Sequence, residues 1–342
     1  MKIKISNSEI TNNKRPFYVA EAGINYDGDF QKCFKLIDAA KTAGADAIKF
    51  QTHIAEHEMI DTKITLAHSK KETVYDLMKK CELTLDQHKK LQKYCKKKKI
   101  IFLSTPFSIQ AADLLKKISV AAYKIGSGEC NNLPLIRHIA KFKKPTIIST
   151  GMNSLDSITK TYNFAKKINK KIILMHCISM YPAPSSKSML NTIPFLKKKL
   201  KCPVGFSDHS DDIYLAVAAV ALGANVIEKH FTVSKKWSGP DIELSITPEK
   251  FKEMVDICNE IYSAKGTRNK ILKEEIPVTN FAFATVVTTK KINKNEKFTT
   301  SNIWVKRPGT GKIPAKDLYK IINKISKKTL PENYQLKYSD IK

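Results

Sequence analysis

The 342-residue sequence lacks the features that mark several large classes of protein. It has no apolar stretch near the roughly 20 residues that a membrane-spanning helix needs. Its N-terminal MKIKISNSEI has no apolar core followed by a small-residue cleavage site, the pattern of a secretory signal. We therefore expect a cytoplasmic protein without a membrane partner. The hydrophobic content of 42% and charged content of 27% are typical of globular domains.

Paired cysteines and clustered arginines are also missing. The seven cysteines are scattered without the spacing of a metal site or disulfide framework, so reduced thiols are expected. The 60 Lys+Arg residues against 32 Asp+Glu give a formal charge of +28, which could indicate a nucleic-acid partner. The excess is nearly all lysine, however, and no arginine-aromatic cluster, zinc finger or helix-turn-helix signature accompanies it. We expect no nucleic-acid partner, although the positive field can attract anionic substrates.

From residue 17 to about 263, short apolar runs alternate with amphipathic helical segments. The apolar runs lie at 17–22, 47–51, 100–104, 122–126, 146–150, 172–177, 203–206 and 224–228. Strict alternation predicts a parallel sheet with helices outside it, and eight units at this length fit a (β/α)8 TIM barrel. A doubly wound open sheet is the alternative, which the absence of a glycine-rich dinucleotide fingerprint after the first run weakens.

The pattern changes after Lys265, where the strict alternation ends. A polar stretch follows, and then a β-rich tail of about 60 residues that has no pattern continuous with the barrel. We predict a barrel domain at 1–268, a linker at 269–280 and a second, small domain at 281–342.

Polar side chains collect where the predicted strands end. These residues are Glu21, Lys49, Gln51, Thr105, Lys124, Ser127, Glu129, Ser149, Thr150, Ser179, Tyr181, Ser207 and Asp208. The ends of parallel strands meet at one edge, where such folds build ligand sites. Lys49 and Lys124 fall inside apolar runs, where an unpaired ammonium is poorly solvated. Either a bound anion or a neighbouring Glu or Asp would relieve that cost. With the backbone N–H groups of residues 126–128, the lysines predict a cradle for phosphate and carboxylate.

Two histidines follow consecutive strands, His209 in GFSDHS and His230 in VIEKHF. Each could simply be hydrogen-bonded, but at matching strand ends the pair predicts a shared divalent metal. We expect Asp208 and Glu228 to hydrogen-bond the rings and fix their tautomers. Only two protein ligands would leave positions open for water and substrate. That favours a catalytic Mn²⁺ or Mg²⁺ over a closed structural zinc site.

The motifs around these residues resemble those of the sialic acid synthase family, which includes legionaminate and pseudaminate synthases. The matching motifs are AEAGIN (20–25), AIKFQTH (47–53), FLSTPFS (102–108), YKIGSGECNNLPLI (123–136), ISTGMN (148–153), HCISMYPAP (176–184), GFSDHS (205–210), VIEKHFT (226–232), GPDIELS (239–245) and VKRPGTG (305–311). They occur in family order along the whole chain. By this resemblance the tail is an antifreeze-like (SAF) domain, and the family condenses phosphoenolpyruvate with an N-acylated amino sugar.

The resemblance also implies roles for individual residues. The phosphoenolpyruvate contacts would be Lys49, Thr105, Lys124, Ser127, Ser149 and Ser207. The sugar contacts would be Gln51, Glu129, Tyr181 and Asp241, with Ser179 at a further substrate-binding position. His209 and His230 would bind the metal, and Glu21 would lie at the reacting centre. Arg307 would reach the partner's barrel and touch the N-acyl group, because the family forms domain-swapped homodimers.

The expected product is N-acetylneuraminate, made from N-acetylmannosamine. A diacetamido hexose, giving a legionaminate- or pseudaminate-type product, is the alternative. Glu129 is the first choice for the acid/base group and Glu21 the second. Two other hypotheses remain at this point: a basic polyanion-binding protein on a retained barrel, and an aldolase that forms a Schiff base on Lys49 or Lys124.

Overall fold

The computed structural model describes residues 2–62, 64–66 and 69–342. The chain divides into two compact units, Met1–Lys265 and Gly266–Lys342. Its strands are β1 (Ile3–Ile5), β2 (Ser8–Ile10), β3 (Phe17–Gly23), β4 (Ala47–Thr52), β5 (Thr65–Leu66), β6 (Ser69–Thr73), β7 (Ile101–Pro106), β8 (Tyr123–Ile125), β9 (Thr146–Ser149), β10 (Ile172–His176), β11 (Val204–Asp208), β12 (Val226–His230), β13 (Thr285–Thr288) and β14 (Ile303–Lys306). Its α-helices are α1 (Phe30–Thr42), α2 (Ala55–Glu58), α3 (Val74–Lys80), α4 (Leu85–Lys98), α5 (Ile109–Lys117), α6 (Leu133–Lys141), α7 (Leu155–Ile168), α8 (Thr192–Leu200), α9 (Tyr214–Ala221), α10 (Pro248–Ser263), α11 (Ile276–Ala282) and α12 (Leu318–Ile321).

The first unit is a closed barrel of eight strands in the order β3-β4-β7-β8-β9-β10-β11-β12. All neighbouring pairs are parallel, and β12 closes the barrel against β3 from Val226↔Phe17 to His230↔Glu21. Each strand overlaps one of the eight predicted apolar runs. The (β/α)8 prediction is therefore confirmed, and the open-sheet alternative is wrong.

The strands are mostly apolar because both of their faces are buried. One face packs against the surrounding helices, and the other fills the barrel with side chains such as Val19, Leu103 and Met175. Ile3 and Ile5 of the β1–β2 hairpin belong to this interior cluster. They pack beside the residues that begin the strands, such as Phe17 and Ala47, and so cover the N-terminal end of the barrel. The carboxyl ends of the strands are thus left for a ligand site.

Many of the lysines lie at helix C-termini. Basic side chains occupy the last turns of α4, α5, α7 and α8. Cations are favourable there because the helix dipole places partial negative charge at this end. Part of the positive charge is therefore distributed over the C-terminal ends of several helices. In the ranges given above, no helix combines the length and apolarity needed to cross a membrane.

The second unit has its own small core. β13 and β14 pair antiparallel from Thr285↔Lys306 to Thr288↔Ile303, and the core includes Val286, Phe298 and Leu336. A chain of isolated antiparallel bridges connects the rest of the unit. It is β-rich, as predicted, although α11 occupies part of the segment expected to be a linker.

Gly205 provides a stability test of the barrel's close packing. A Cβ at this position would meet Met175 Sδ at 2.4 Å and the backbone oxygen of Val226 at 2.6 Å. We expect Gly205→Ala to lower the free energy of unfolding by about 1–3 kcal/mol, the usual cost of overpacking. Gly266→Ala is the control, since a Cβ there meets nothing within 4 Å. Urea titration of both variants checks this, and equal stabilities would contradict it.

Candidate active site

A cavity of about 430 Å³ lies at the carboxyl ends of the barrel strands. The predicted site residues that line it are Glu21, Lys49, Gln51, Thr105, Lys124, Ser127, Ser149, Ser179, Tyr181, Ser207, His209, His230 and Asp241. The lining residues that the sequence did not single out are Ile24, Met78, Phe107, Met152, Cys177 and Pro240. These six are mostly apolar, and an apolar residue by itself carries no signal that distinguishes a site wall from ordinary packing.

Two lysines and two glutamates form a buried charge network in the cavity. Lys49 Nζ lies 2.6 Å from Glu21 Oε2 and 3.7 Å from Glu228 Oε1. Lys124 Nζ lies 2.8 Å from the same Glu228 oxygen. Glu228 comes from β12 and Lys124 from β8, on opposite sides of the barrel. The sequence left two ways to compensate the buried lysines, a bound anion or a neighbouring carboxylate. The structure shows pairing with carboxylates, and these pairs lie inside the cavity where the anion was expected.

The two carboxylates differ in their affinity for a proton. Burial raises the pKa of Glu21, although the Lys49 ammonium beside it opposes the shift. Glu228 is equally buried, but the ammonium groups of Lys124 and Lys49 outweigh burial and lower its pKa. Glu21 is therefore the carboxyl of this pair that can take up a proton more readily, while Glu228 stays ionised.

Hydroxyl groups surround the lysines. Thr105 Oγ1 accepts a hydrogen bond from Lys49 Nζ at 3.2 Å, and Ser207 Oγ donates to Glu228 at 3.0 Å. Ser127 Oγ accepts from the Gly151 backbone N–H at 3.1 Å. The buried Ser179 Oγ has no partner within the described part of the chain. Ammonium and hydroxyl groups in one cavity are donors of the kind that phosphate and carboxylate groups require.

The two predicted metal-binding histidines lie together in the cavity, with ring centres 5.4 Å apart. His209 Nδ1 donates to the Ile178 carbonyl at 2.7 Å, which leaves Nε2 free of a proton. His230 Nδ1 is buried without a hydrogen-bond partner in the described ranges, 3.6 Å from Asp241 Oδ2. Burial lowers the pKa of each histidine to about 4, so both rings are neutral at pH 7.

These observations fit a divalent cation. Neutral imidazoles with available lone pairs are the form that binds metals, and ligating histidines commonly donate their other N–H to a backbone carbonyl. Among the residues that the structure covers, no cluster of three or more His, Cys, Asp or Glu side chains is arranged for a metal. Metal binding by the histidine pair stays a prediction.

The prediction that Asp208 and Glu228 fix the histidine tautomers is wrong. Asp208 pairs with Lys229 at 3.0 Å, and Glu228 pairs with the cavity lysines. The Ile178 carbonyl performs this task for His209. Strand alternation explains the error, because Asp208 directly precedes His209 and so points to the other face of the sheet.

Gln51 is held by a chain of hydrogen bonds that sequence reasoning missed. Its Nε2 donates to Glu21 Oε1 at 3.2 Å, and its Oε1 lies 3.0 Å from His53 Nε2. His53 Nδ1 lies 2.7 Å from Glu58 Oε1, and the ring stacks on Phe107 at 4.5 Å. The only sequence signal was the position of His53 within the AIKFQTH motif. Gln51 therefore presents its amide to the cavity in a fixed orientation.

Tyr181 covers the histidines. Its ring stacks on His209 at 4.5 Å and meets His230 edge-on at 6.1 Å. Glu129, another predicted site residue of the first unit, lies outside the cavity lining. Glu129 accepts a hydrogen bond from Asn132, and Arg307 belongs to the second unit, where its guanidinium lies 5.9 Å from the Phe281 ring. The role of Arg307 in a swapped homodimer stays a prediction.

The charge network yields a stability prediction. Glu228→Gln would leave the buried Lys124 ammonium without its carboxylate, so we expect the free energy of unfolding to fall by about 3 kcal/mol. Asp256→Asn is the matched control, because Asp256 pairs with Lys252 at 2.7 Å but both side chains are 60% exposed. That change should cost under about 1 kcal/mol. Urea titrations at one pH compare the two, and equal losses would contradict the network's role.

Comparisons with known proteins place the chain in a family. A model of the NeuB family matches residues 36–270, and a SAF-domain model matches residues 283–342. An N,N'-diacetyllegionaminic acid synthase of Campylobacter jejuni is 40% identical, covering 94% of this chain and 98% of that protein. A pseudaminic acid synthase of the same species (strain 81-176) is 34% identical, covering 96% of this chain and 98% of that protein.

A solved structure gives the same result. The N-acetylneuraminic acid synthetase of Leptospira borgpetersenii, in complex with citrate, superposes with a TM-score of 0.74 at 32% identity. The match covers 81% of this chain and 95% of that one. The SAF match confirms the predicted nature of the tail. The chain therefore belongs to the NeuB family.

Proposed function

We propose that this enzyme of the NeuB family condenses phosphoenolpyruvate with an N-acylated amino sugar in the barrel cavity. The products would be a nonulosonic acid and inorganic phosphate. The family is one of phosphoenolpyruvate-dependent nonulosonic acid synthases. One observation carries the proposal: the same cavity holds two buried lysines, a group of hydroxyls and a pair of neutral histidines.

The charge balance of the cavity favours an anionic substrate. Lys49 and Lys124 are balanced by Glu21 and Glu228 when both carboxyls are ionised. If Glu21 takes up a proton, these four groups carry a net positive charge in a buried site. An arriving anion would promote that protonation, because a nearby negative charge raises the pKa of a carboxyl. The lysines and hydroxyls would then hold the phosphate and carboxylate of phosphoenolpyruvate.

His209 and His230 would hold a Mn²⁺ or Mg²⁺ ion. When bound, this cation would supply Lewis-acid chemistry, polarising the carbonyl of the sugar aldehyde. Tyr181 packs against both rings and restricts their movement. Asp241 lies beside His230 and would contact a sugar hydroxyl.

The reaction would join C3 of phosphoenolpyruvate to the aldehyde carbon, with the electron pair coming from the C2–C3 double bond. The aldehyde oxygen takes a proton and becomes a hydroxyl. Water adds to C2 and gives up one proton, which leaves a hydroxyl on C2. The bond between C2 and the bridging oxygen then breaks with its electron pair going to the phosphate, while the C2 hydroxyl becomes the keto group and its proton passes to the released phosphate. Lys49 and Lys124 would stabilise the charge on the departing phosphate.

We assign proton transfer to Glu21. Its carboxyl lines the cavity, its pKa is raised, and Gln51 holds one of its oxygens in place. Glu129, the first choice from sequence, is partly buried, lies outside the lining and accepts from Asn132. A carboxyl with a raised pKa exchanges protons most efficiently near neutral pH.

A diacetamido hexose is the acceptor that we favour, with N-acetylmannosamine as the second candidate. The cavity wall includes Ile24, Met78, Phe107, Met152 and Pro240, which suits the methyl groups of acetamido substituents. The relative named as a legionaminic acid synthase is 40% identical, whereas the structure named as an N-acetylneuraminic acid synthetase is 32% identical. The apolar wall suits either acceptor, so the choice rests on the higher identity to the legionaminic acid synthase.

Phosphate release from phosphoenolpyruvate tests this function directly. We expect turnover with a diacetamido hexose, weaker or no turnover with N-acetylmannosamine, and loss of activity with a chelator. His209→Ala and His230→Ala should lower kcat/KM at least about 100-fold, since a Lewis acid contributes several kcal/mol. His57→Ala is the control, because its side chain is 41% exposed.

Several outcomes would contradict parts of the proposal. Release only with N-acetylmannosamine would reverse the choice of acceptor. Activity that survives chelation, together with borohydride trapping of substrate on Lys49 or Lys124, would favour the Schiff-base aldolase instead. No release with any amino sugar, alongside salt-sensitive binding of polyanions, would favour the polyanion-binding hypothesis.

The choice between the two glutamates has its own test. Glu21→Gln should lower kcat by about 10²–10⁴-fold, the usual contribution of a general acid or base. Glu129→Gln should affect the KM of the sugar more than kcat, because the family resemblance makes Glu129 a sugar contact and its position outside the lining keeps it from the reacting atoms. Steady-state kinetics with both substrates varied measures the difference. A larger loss of kcat in Glu129→Gln than in Glu21→Gln would return the role to Glu129.

A further inference from the structure

Two charged residues directly precede the cavity histidines. Asp208 is the last residue of β11 and directly precedes His209, and Lys229 precedes His230 on β12. They are partners in the β11–β12 ladder, their side chains are fully buried, and Lys229 Nζ lies 3.0 Å from Asp208 Oδ2. Because side chains alternate along a strand, this pair lies on the helix-facing side of the sheet, behind the histidines. The proposed reaction does not use it.

The Lys229 ammonium organises the loop that follows β11. It donates to the carbonyls of Ser210 and Asp212, the latter at 2.7 Å, and lies 3.3 Å from Ser210 Oγ. With Asp208, these contacts surround the ammonium with oxygen atoms from residues 208–212. An ammonium has three donors and can hold several oxygens at once, which an apolar side chain cannot do.

The Asp208 carboxylate fixes the same loop from its other side. Its Oδ1 accepts from the Ser210 backbone N–H at 2.9 Å and from the Ser210 hydroxyl at 2.7 Å. The backbone is therefore tied immediately before and after His209. The imidazole itself is tied by the Ile178 carbonyl. These contacts together leave the His209 ring little freedom to move relative to β12.

We propose that the Asp208–Lys229 pair positions the two histidines for a cation that it does not touch. By joining the strand ends one residue before each histidine, the pair sets the 5.4 Å separation of the rings. A buried ion pair is often no more stabilising than apolar residues of similar size, so fold stability alone gives little reason for it. The inference rests on the proposed function, in which His209 and His230 hold a divalent cation.

Variants of the full-length protein separate positioning from simple stabilisation. Lys229→Met and Asp208→Asn remove the pair, and Lys229→Arg keeps the charge. The control is Arg15→Met, which breaks the two-point contact between Arg15 and Asp46, at 2.7 and 2.9 Å, near the start of β3 and β4. Titration calorimetry with Mn²⁺ gives the cation affinity. Circular dichroism of the metal-free protein gives the melting temperature.

We expect Lys229→Met and Asp208→Asn to weaken Mn²⁺ binding about 10- to 100-fold, the usual effect of removing a group that orients a metal ligand. Lys229→Arg should recover part of that loss. Arg15→Met should change the affinity less than about twofold, even where it lowers the melting temperature. Wild-type affinity in both Lys229→Met and Asp208→Asn would overturn the positioning role, provided that His209→Ala and His230→Ala weaken binding.

A second measurement distinguishes failure of this inference from failure of the proposed function. The wild-type protein could bind no Mn²⁺, or His209→Ala and His230→Ala could bind it as tightly as wild type. Either result would show that the histidines are not a metal site and would also overturn their positioning for a cation. Amide hydrogen exchange at Ser210 in the metal-free protein then tests the loop alone. Lys229→Met should speed this exchange at least about tenfold over Arg15→Met. An unchanged exchange rate at Ser210 would overturn the proposal that the pair positions the loop. If Lys229→Met does not fold, the same measurement is made on Asp208→Asn.

Discussion

Closure of the barrel between β12 and β3 is the constraint on which the site depends. The pairing runs in parallel from Val226↔Phe17 to His230↔Glu21, so the last strand delivers His230 beside a carboxyl near the N-terminus. Because all eight strands are parallel, their carboxyl ends meet at one rim. Residues from Glu21 to Asp241 can therefore line one cavity, although they lie far apart along the chain.

The interior of the barrel carries an unusual charge arrangement. Lys49, Lys124, Glu21 and Glu228 are each no more than 4% exposed, so every unpaired charge among them would be costly. Mutual pairing reduces that cost in the absence of ligand. Burial raises the pKa of Glu21, so this carboxyl is the member of the network that takes up a proton most readily. A site of this kind is stable without substrate and still able to accept an anion.

Successive side chains of β12 face opposite sides of the sheet, the cavity on one side and the helices on the other. Glu228 and His230 face the cavity, while Lys229 between them faces the helices and pairs with Asp208. One strand thus contributes to the charge network, to the histidine pair and to the loop that carries His209. A change in its register by one residue would exchange these roles. The closing ladder with β3 makes such a shift unfavourable.

The sequence by itself determined the architecture and most of the site. Eight apolar runs separated by helical segments indicated the barrel, and the polar residues after each run indicated its ligand-binding rim. Both signals are local, since strand periodicity and strand ends can be read from neighbouring residues. The positions of Lys49, Lys124, His209 and His230 followed from them. The sequence motifs around these residues then indicated the family.

Only the tertiary structure decided which groups meet. Lys124 pairs with Glu228 across the barrel, the Ile178 carbonyl rather than Asp208 holds His209, and Glu129 lies outside the cavity lining. These outcomes depend on distances between distant strands and on the direction of each side chain, which one sequence does not specify. The apolar wall and the His53–Glu58 support of Gln51 escaped prediction for the same reason.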